Sequence, residues 1–264
     1  MQEIYIFYLD ANDDIQECSW SSTTEWRHSI VGLKASPSSA LAALWQQCAL
    51  CSSSILLFYQ DQDQNIQVAN YTSSSWQNTS LPVKASQGTG LATQLFPIPN
   101  SADQINLYYQ RANDSVMCLC AWLPAQYFPQ GMFPPRPTRI ALTIPVFHAA
   151  PNIWSPDYQV YIQIPASVPL ASVTYGLTST GYDLWIQLLL SNPNYGVTAY
   201  PWSGEAFNWL GAEAPPAMAN VQNYSSLAVT ALQTAYALQN GTLVEFQVAS
   251  DGTTWTALGP VSIA

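Results

Sequence analysis

The sequence predicts an all-β fold: one six-bladed β-propeller of mostly four-stranded blades, spanning residues 1–264 as a single domain. Three observations predict it. An alternating apolar stretch, a polar turn and a second alternating stretch recur at a period of about 50 residues. An aromatic residue usually follows each copy, and a short strand rich in small residues precedes most of them. No segment requires a helix. A repeat of four strands means stacked blades, each burying two faces against its neighbours, whereas a sandwich does not repeat one four-strand unit at fixed spacing.

The copies follow in order. IYIFYLDANDDIQECSW at 4–20 is echoed by ILLFYQDQDQNIQVANY at 55–71 and INLYYQRANDSVMCLCAW at 105–122. Fainter copies are read at 158–175, 186–202 and 235–255. The preceding strands are SALAALWQ (39–46), GLATQLF (90–96), TRIALTIPVF (138–147) and SLAVTALQ (226–233), whose alanines suit strands converging on a central channel. The Pro-rich MFPPRPTR at 132–139 reads as a connector, because consecutive prolines cannot donate to a ladder. The chain starts on a second strand, so its last residues are expected to supply the inner strand of the first blade. Trp26, Trp76, Trp209 and Trp255 recur by position, which favours packing between blades.

Composition narrows function. Ten Trp, fifteen Tyr and eight Phe outnumber the sixteen acidic and six basic residues, and the net charge is -10. Six basic side chains cannot build a phosphate-tracking stripe, which excludes nucleic acid as a partner. Apolar runs are cut every few residues by Ser, Gln, Asn or Pro, so none reaches the roughly 18 residues of a membrane span.

Five N-x-S/T triplets, at Asn70, Asn78, Asn113, Asn223 and Asn240, together with low Lys, lead us to expect a secreted, N-glycosylated protein. Met1 runs directly into EIYIFYLD, so a leader is expected to have been removed and Met1 to be an addition. Cys18, Cys48, Cys51, Cys118 and Cys120 allow at most two disulfides, and spacing does not choose among the pairings. Zinc would need four donors, and His28 and His148 do not stand at ligand spacing, so no metal is expected. Asp13, Asp14, Asp61 and Asp63 fall in polar turns, where Asp caps its own backbone. No G-x-S-x-G, G-x-G-x-x-G or P-loop pattern occurs, and no cofactor is expected.

The copies, with alternation ending Tyr-Gln or Tyr-Leu-Asp, a polar turn, an Ile-x-Glu step and a later Trp, resemble the blade of the fungal fucose-specific lectins. The resemblance is best over 4–122. It implies a six-bladed propeller that holds sugar between blades with an Arg, a Glu and an aromatic face. Glu17 and Glu245 match the Glu. The Arg is absent: Tyr5, Leu56, Asn106, Gln159 and Gln187 stand at its assignable positions, and Val68 and Cys118 replace Glu in the second and third copies. A fucose clamp needs cation and carboxylate together, so multivalent fucose binding is not expected. The resemblance extends to relatives recruited as hetero-Diels-Alderases in fungal tropolone-sesquiterpenoid biosynthesis. It therefore implies, as the leading reading, a stereoselective coupling of a tropolone quinone methide with a humulene-type alkene. The alternative is a divergent carbohydrate-binding lectin without a complete fucose site.

Pericyclic chemistry needs partners held face to face, water excluded and one or two polarising donors. Glu17, His148 and Arg111 are the candidate acid, base or donor groups, although His148 also suits a structural hydrogen bond and Arg111 simple exposure. Tyr5, Trp20, His28, Tyr109, Trp122, Trp154 and Trp202 are the candidate ligand-lining residues, for a tropolone and a terpene or for a glycan; His28 equally suits a surface position beside Trp26 and Arg27.

Overall fold

The computed structural model describes residues 3–46, 54–72, 74–96, 104–111, 115–122, 158–165, 167–175, 185–203, 208–230 and 232–261. They form five antiparallel sheets in chain order. The first holds β1 (Glu3–Leu9), β2 (Asp14–Ser21) and β3 (Thr24–Lys34). The second holds β4 (Ala42–Gln46), β5 (Ser54–Gln60), β6 (Asn65–Thr72) and β7 (Ser75–Lys84). The third holds β8 (Ala92–Phe96), β9 (Gln104–Gln110), β10 (Ser115–Trp122) and β11 (Tyr158–Gln163). The fourth holds β12 (Leu170–Tyr175), β13 (Trp185–Ser191), β14 (Val197–Ser203) and β15 (Asn208–Trp209). The fifth holds β16 (Ala228–Val229), β17 (Thr234–Gln239), β18 (Thr242–Val248) and β19 (Trp255–Pro260).

Each sheet is a meander, and the opening strands lie side by side in the order β4, β8, β12, β16, as strands around a propeller axis do. Small residues permit that convergence. Ala42 and Ala92 are buried there, and a Cβ on Gly90 would stand 2.1 Å from the Val168 carbonyl oxygen.

The stretch at 158–175 departs from the expected copy. Its two halves do not pair with each other: β11 closes the third sheet on β10, with Met117 opposite Gln159, and β12 opens the fourth on β13. Pro165 and Pro169 between them lack the N–H groups a hairpin would use, and apolar alternation alone does not say which neighbour a strand joins. Gln159 therefore leaves the set of Arg-equivalent positions. The 132–139 connector and the strand at 138–147 lie outside the described residues, as does 262–264, the end expected to close the first blade.

Alternation sends successive side chains to opposite faces, so each interior strand feeds two cores. Leu57 and Tyr59 join Ile15 and Val31 between the first and second sheets, while Leu56 and Phe58 join Ile105, Leu107 and Tyr109 between the second and third. Tyr108 and Val116 meet Leu170, Leu188 and Leu190 in the next cleft. Val173, Leu189, Ala235, Phe246 and Trp255 fill the one after, with Met218 from a short 3-10 turn at Pro216–Met218.

Of the turn carboxylates singled out, Asp61 caps its turn as expected, whereas in the first turn the cap is Asp10 rather than Asp13 or Asp14. Asp10 Oδ1 accepts the N–H of Asn12 and Asp14, and Asp61 Oδ1 accepts those of Asp63 and Asn65. A second recurring device joins the sheets. Connectors ending in Ser39, Thr89 and Ser225 place a hydroxyl that accepts the N–H of Gln60, Gln110 and Leu238 at 2.8, 2.7 and 2.8 Å. The fully buried Gln60 side chain then donates to the Ser86 carbonyl at 2.9 Å and accepts the Gly88 N–H at 3.1 Å. Gln110 repeats the clasp, donating to the Pro165 carbonyl at 2.7 Å and accepting the Gly90 N–H at 3.3 Å. Among the described residues, no helix is long and apolar enough to cross a membrane.

Candidate functional site

Four clefts separate the five sheets, and an equivalent pair of residues points into each from the earlier sheet. In the first cleft these are Tyr5 and Phe7 on β1, with Glu17 of β2 opposite Phe7 and Ser29 of β3 opposite Glu17. Glu17 is half-buried. Burial pushes its carboxyl above the usual carboxylate range, partly offset by the hydrogen bond from the Ser29 hydroxyl. The Tyr5 hydroxyl donates to Glu3 Oε2 at 3.2 Å, and burial, then the Glu3 charge, pushes the phenol up and keeps it a donor.

The second sheet supplies the opposite wall. Trp45 of β4 meets the Tyr5 ring at 5.7 Å between centroids, tilted by 41°. Trp76 of β7 meets Phe7 edge-on at 5.7 Å and Tyr71 of β6 at 5.1 Å. One carboxylate, one phenol donor and a set of aromatic faces thus share a cleft that is open to solvent, with Trp45 44% exposed. Such a surface can accept hydroxyl donors at the carboxylate and stack C–H faces on its rings.

The other three clefts are sealed at the corresponding positions. Leu56 is 4% exposed, Asn106 3% and Gln187 0%. In the second cleft Leu56, Phe58 and Val68 pack as solid core. In the third the Tyr108 hydroxyl accepts from Gln94 at 3.4 Å and Asn106 at 3.5 Å, while its ring meets Trp209 edge-on at 6.0 Å. In the fourth Gln187 donates to the Gly252 carbonyl, and its Oε1 accepts from Trp255 Nε1 at 2.7 Å. Gly252 is required there: its φ is +69° and a Cβ would overlap the Tyr175 ring. Glu245, the second matching carboxylate, accepts from the Tyr236 hydroxyl at 2.8 Å on the face of the fifth sheet turned away from the fourth.

Of the residues singled out in the sequence, the structure brings together Tyr5 and Glu17. Trp20 and His28 lie on the opposite face of the first sheet, in register with Ile4 and Cys18. Tyr109 is a correction: it is 0% exposed and packs between the second and third sheets, so it lines no open site. Arg111 is exposed beyond the end of β9, away from the first cleft. Trp202 sits half-buried on β14, opposite Ile186 and Trp209. Trp122 ends β10 opposite Gln104, its side chain outside the described set, and His148 and Trp154 lie outside the described residues. Trp45, Tyr71 and Ser29 are the site residues that sequence reasoning passed over. The pairing of strands was the signal for them: Ser29 faces Glu17 across one rung, and Trp45 belongs to the short strand preceding the second copy. Trp76, Trp209 and Trp255 pack between sheets as their recurrence implied, whereas Trp26 is exposed.

The fold is found in solved lectins. A lectin of Aleuria aurantia, described as a six-bladed β-propeller with a novel fucose recognition mode, superposes with a TM-score of 0.66 at 15% identity, covering 98% of this chain and 74% of that one. The SapL1 lectin, solved in complex with alpha methyl fucoside, gives a TM-score of 0.65 at 15% identity, covering 99% and 77%. A Burkholderia pseudomallei lectin gives 0.57 at 14% identity, covering 99% and 81%. No curated protein matches in sequence. The fold is the six-bladed type, of which the described residues supply five sheets. The family model of the fungal fucose-specific lectins matches residues 1–135, more than half of the chain, and the chain belongs to that family.

Proposed function

We propose that the chain binds a glycan in the cleft between its first and second sheets, with Glu17 accepting sugar hydroxyls and Tyr5, Trp45, Tyr71 and Trp76 supplying the apolar walls. The observation that carries this reading is that, among the described clefts, the first combines a carboxylate with solvent-open aromatic faces. Tyr5 stands where the family's Arg is expected. A neutral phenol replaces one charge-assisted arm, which weakens a fucoside by about 1.5–3 kcal/mol, on the order of 10- to 100-fold in Kd. Of the four described clefts, the three sealed ones leave this one site. Titration calorimetry with methyl fucoside and with larger fucosylated glycans should give a single weak site that Glu17→Gln abolishes. Several equivalent sites, or no binding of any glycan, would refute it.

A second reading uses the same cleft for the hetero-Diels-Alder coupling of a tropolone quinone methide with a humulene-type alkene. It draws support from the Tyr5 phenol, kept protonated beside aromatic walls and so able to polarise a heterodiene oxygen. Incubating both precursors with native and heat-inactivated protein tests it: equal rates and equal isomer ratios would end it. In either reading the chain matures in a secretory route, which the exposure of Asn78 and Asn240 at their acceptor triplets supports. Release of N-glycans from protein made in a eukaryotic host, read by intact mass, checks that point.

A further inference from the structure

We propose that Asn78 carries an N-glycan that lies in the cleft between the first and second sheets, so that the chain covers its own site; this rests on the glycan reading of that cleft. Asn78 opens the acceptor triplet Asn78-Thr79-Ser80 and is exposed on β7. Side chains two apart on a strand share a face. Trp76, two positions before Asn78, meets Phe7 of the first sheet, and Ala69, the partner of Asn78 on β6, packs with Ile15 and Val31 of that sheet. Asn78 therefore stands on the wall that carries Tyr71 and Trp76, about 6.8 Å along the strand from Trp76.

The other described acceptors stand elsewhere. Asn70 pairs with Leu56 and is half-buried on the face turned to the third sheet. Asn240 lies in the hairpin turn between β17 and β18, and Asn223 in the connector before β16. Among the described acceptors, Asn78 is the one that borders an open cleft.

Asn78 Nδ2 donates to Gln67 Oε1 at 3.2 Å and to the Tyr59 hydroxyl, both on the same wall. In the transfer Nδ2 forms a bond to C1 of an oligosaccharide carried on a lipid pyrophosphate. The C1–O bond breaks, the lipid pyrophosphate leaves with its electron pair, and one Nδ2 proton goes to solvent. The nitrogen keeps one N–H, so one of its two bonds still holds the first sugar against the wall. A glycan tethered there meets Glu17 and the aromatic faces at an effective concentration of roughly millimolar, which competes with a weakly bound free sugar.

The full chain, produced in a eukaryotic host and, unglycosylated, in bacteria, is titrated by calorimetry with methyl fucoside and with a free core-fucosylated N-glycan, and peptide mapping identifies the occupied asparagines. The unglycosylated protein should bind, and protein occupied at Asn78 should bind about tenfold more weakly. Asn78→Gln and Ser80→Ala, made in the eukaryotic host, both delete the triplet and should regain the affinity, whereas Asn240→Gln should not. Near-ultraviolet circular dichroism shows which variants retain their fold, and either of the first two suffices. An unoccupied Asn78, equal affinities of the two preparations, or a folded triplet variant that stays weak overturns the proposal and leaves the glycan reading standing. Unglycosylated protein that binds no glycan ends that reading, and this proposal with it.

Discussion

In the first cleft the residue four positions before the end of the strand is Tyr5, half-buried with its hydroxyl on Glu3; in the fourth it is Gln187, fully buried and bonded to Gly252 and Trp255 of the next sheet. Both side chains point forward from the same place in a blade. Tyr5 leaves room beside it for a ligand, while Gln187 fills the space and spends both ends of its amide on the protein. The difference teaches that one position in this repeat serves either recognition or assembly, and that the partners offered by the following sheet decide which. Trp45 offers a ring face to Tyr5, whereas Trp255 offers an N–H to Gln187.

The comparison breaks first at the fourth cleft. Trp255→Ala removes a buried ring and strands Gln187, and chemical denaturation should show a loss of about 3–5 kcal/mol. Gly252→Ala forces a Cβ into the Tyr175 ring at a positive φ and should cost about 3 kcal/mol, read by the same measurement. Gln187→Leu keeps the volume but leaves the Trp255 N–H and the Gly252 carbonyl without partners, for a loss of about 1–3 kcal/mol. None of these should alter glycan affinity in the protein that remains folded. Equal losses of stability from changes in the two clefts would erase the distinction between them.

The first cleft should respond in the opposite manner. Trp45→Ala removes a 44% exposed ring, so it should shift stability by under about 1 kcal/mol while lowering glycan affinity about fivefold by calorimetry. The smallest effect is electrostatic. Because the folded-state pKa of Glu17 is raised, the folded protein holds a proton that the unfolded chain has released over a window above the usual carboxylate range. Stability therefore falls as pH rises through that window. Glu17→Gln should abolish this fall and raise the melting temperature slightly at neutral pH, although it abolishes binding. Asp61 has the opposite sign: burial pushes its carboxyl up, but the hydrogen bonds from Asn65 and Gln67 outweigh that and hold it below its ordinary value. Its contribution is present above the ordinary carboxylate pKa and lost as pH falls through the lowered one. Melting temperatures between pH 3 and 7, for the wild type and for Glu17→Gln and Asp61→Asn, separate the two.

The strands, their turns and the packing role of Trp76, Trp209 and Trp255 were legible in the sequence, because alternation and Asp-rich turns are local signals. The equivalence of Tyr5, Leu56, Asn106 and Gln187 was legible for the same reason, since the position is fixed by its distance from the turn, whereas Gln159 was placed with them in error. Strand partnership was not. The run at 158–175 alternates like a hairpin, yet its halves belong to different sheets, since pairing is decided by the edges available on either side. Tyr108 and Tyr109 show the same gap at the scale of one residue. Alternation requires them to face opposite clefts but does not say that both are buried, and the choice of Tyr109 as a ligand contact failed there. Ser29, Trp45 and Tyr71 escaped notice because each reaches the site across a rung or a cleft.

The amide clasps of Gln60 and Gln110 bear on how such a chain changes over generations. Gln60 grips the Ser86 carbonyl and the Gly88 N–H of the connector into the next blade, and Gln110 grips the Pro165 carbonyl of the connector into the next blade and the Gly90 N–H of the connector into its own, all four bonds being to main-chain groups. Every residue type carries a main-chain carbonyl, so neighbouring repeats are free to accumulate substitutions without loosening the joint. A ring of blades tied in this way keeps its shape at 15% identity to the Aleuria aurantia lectin, and its cleft-facing positions can be rewritten one blade at a time.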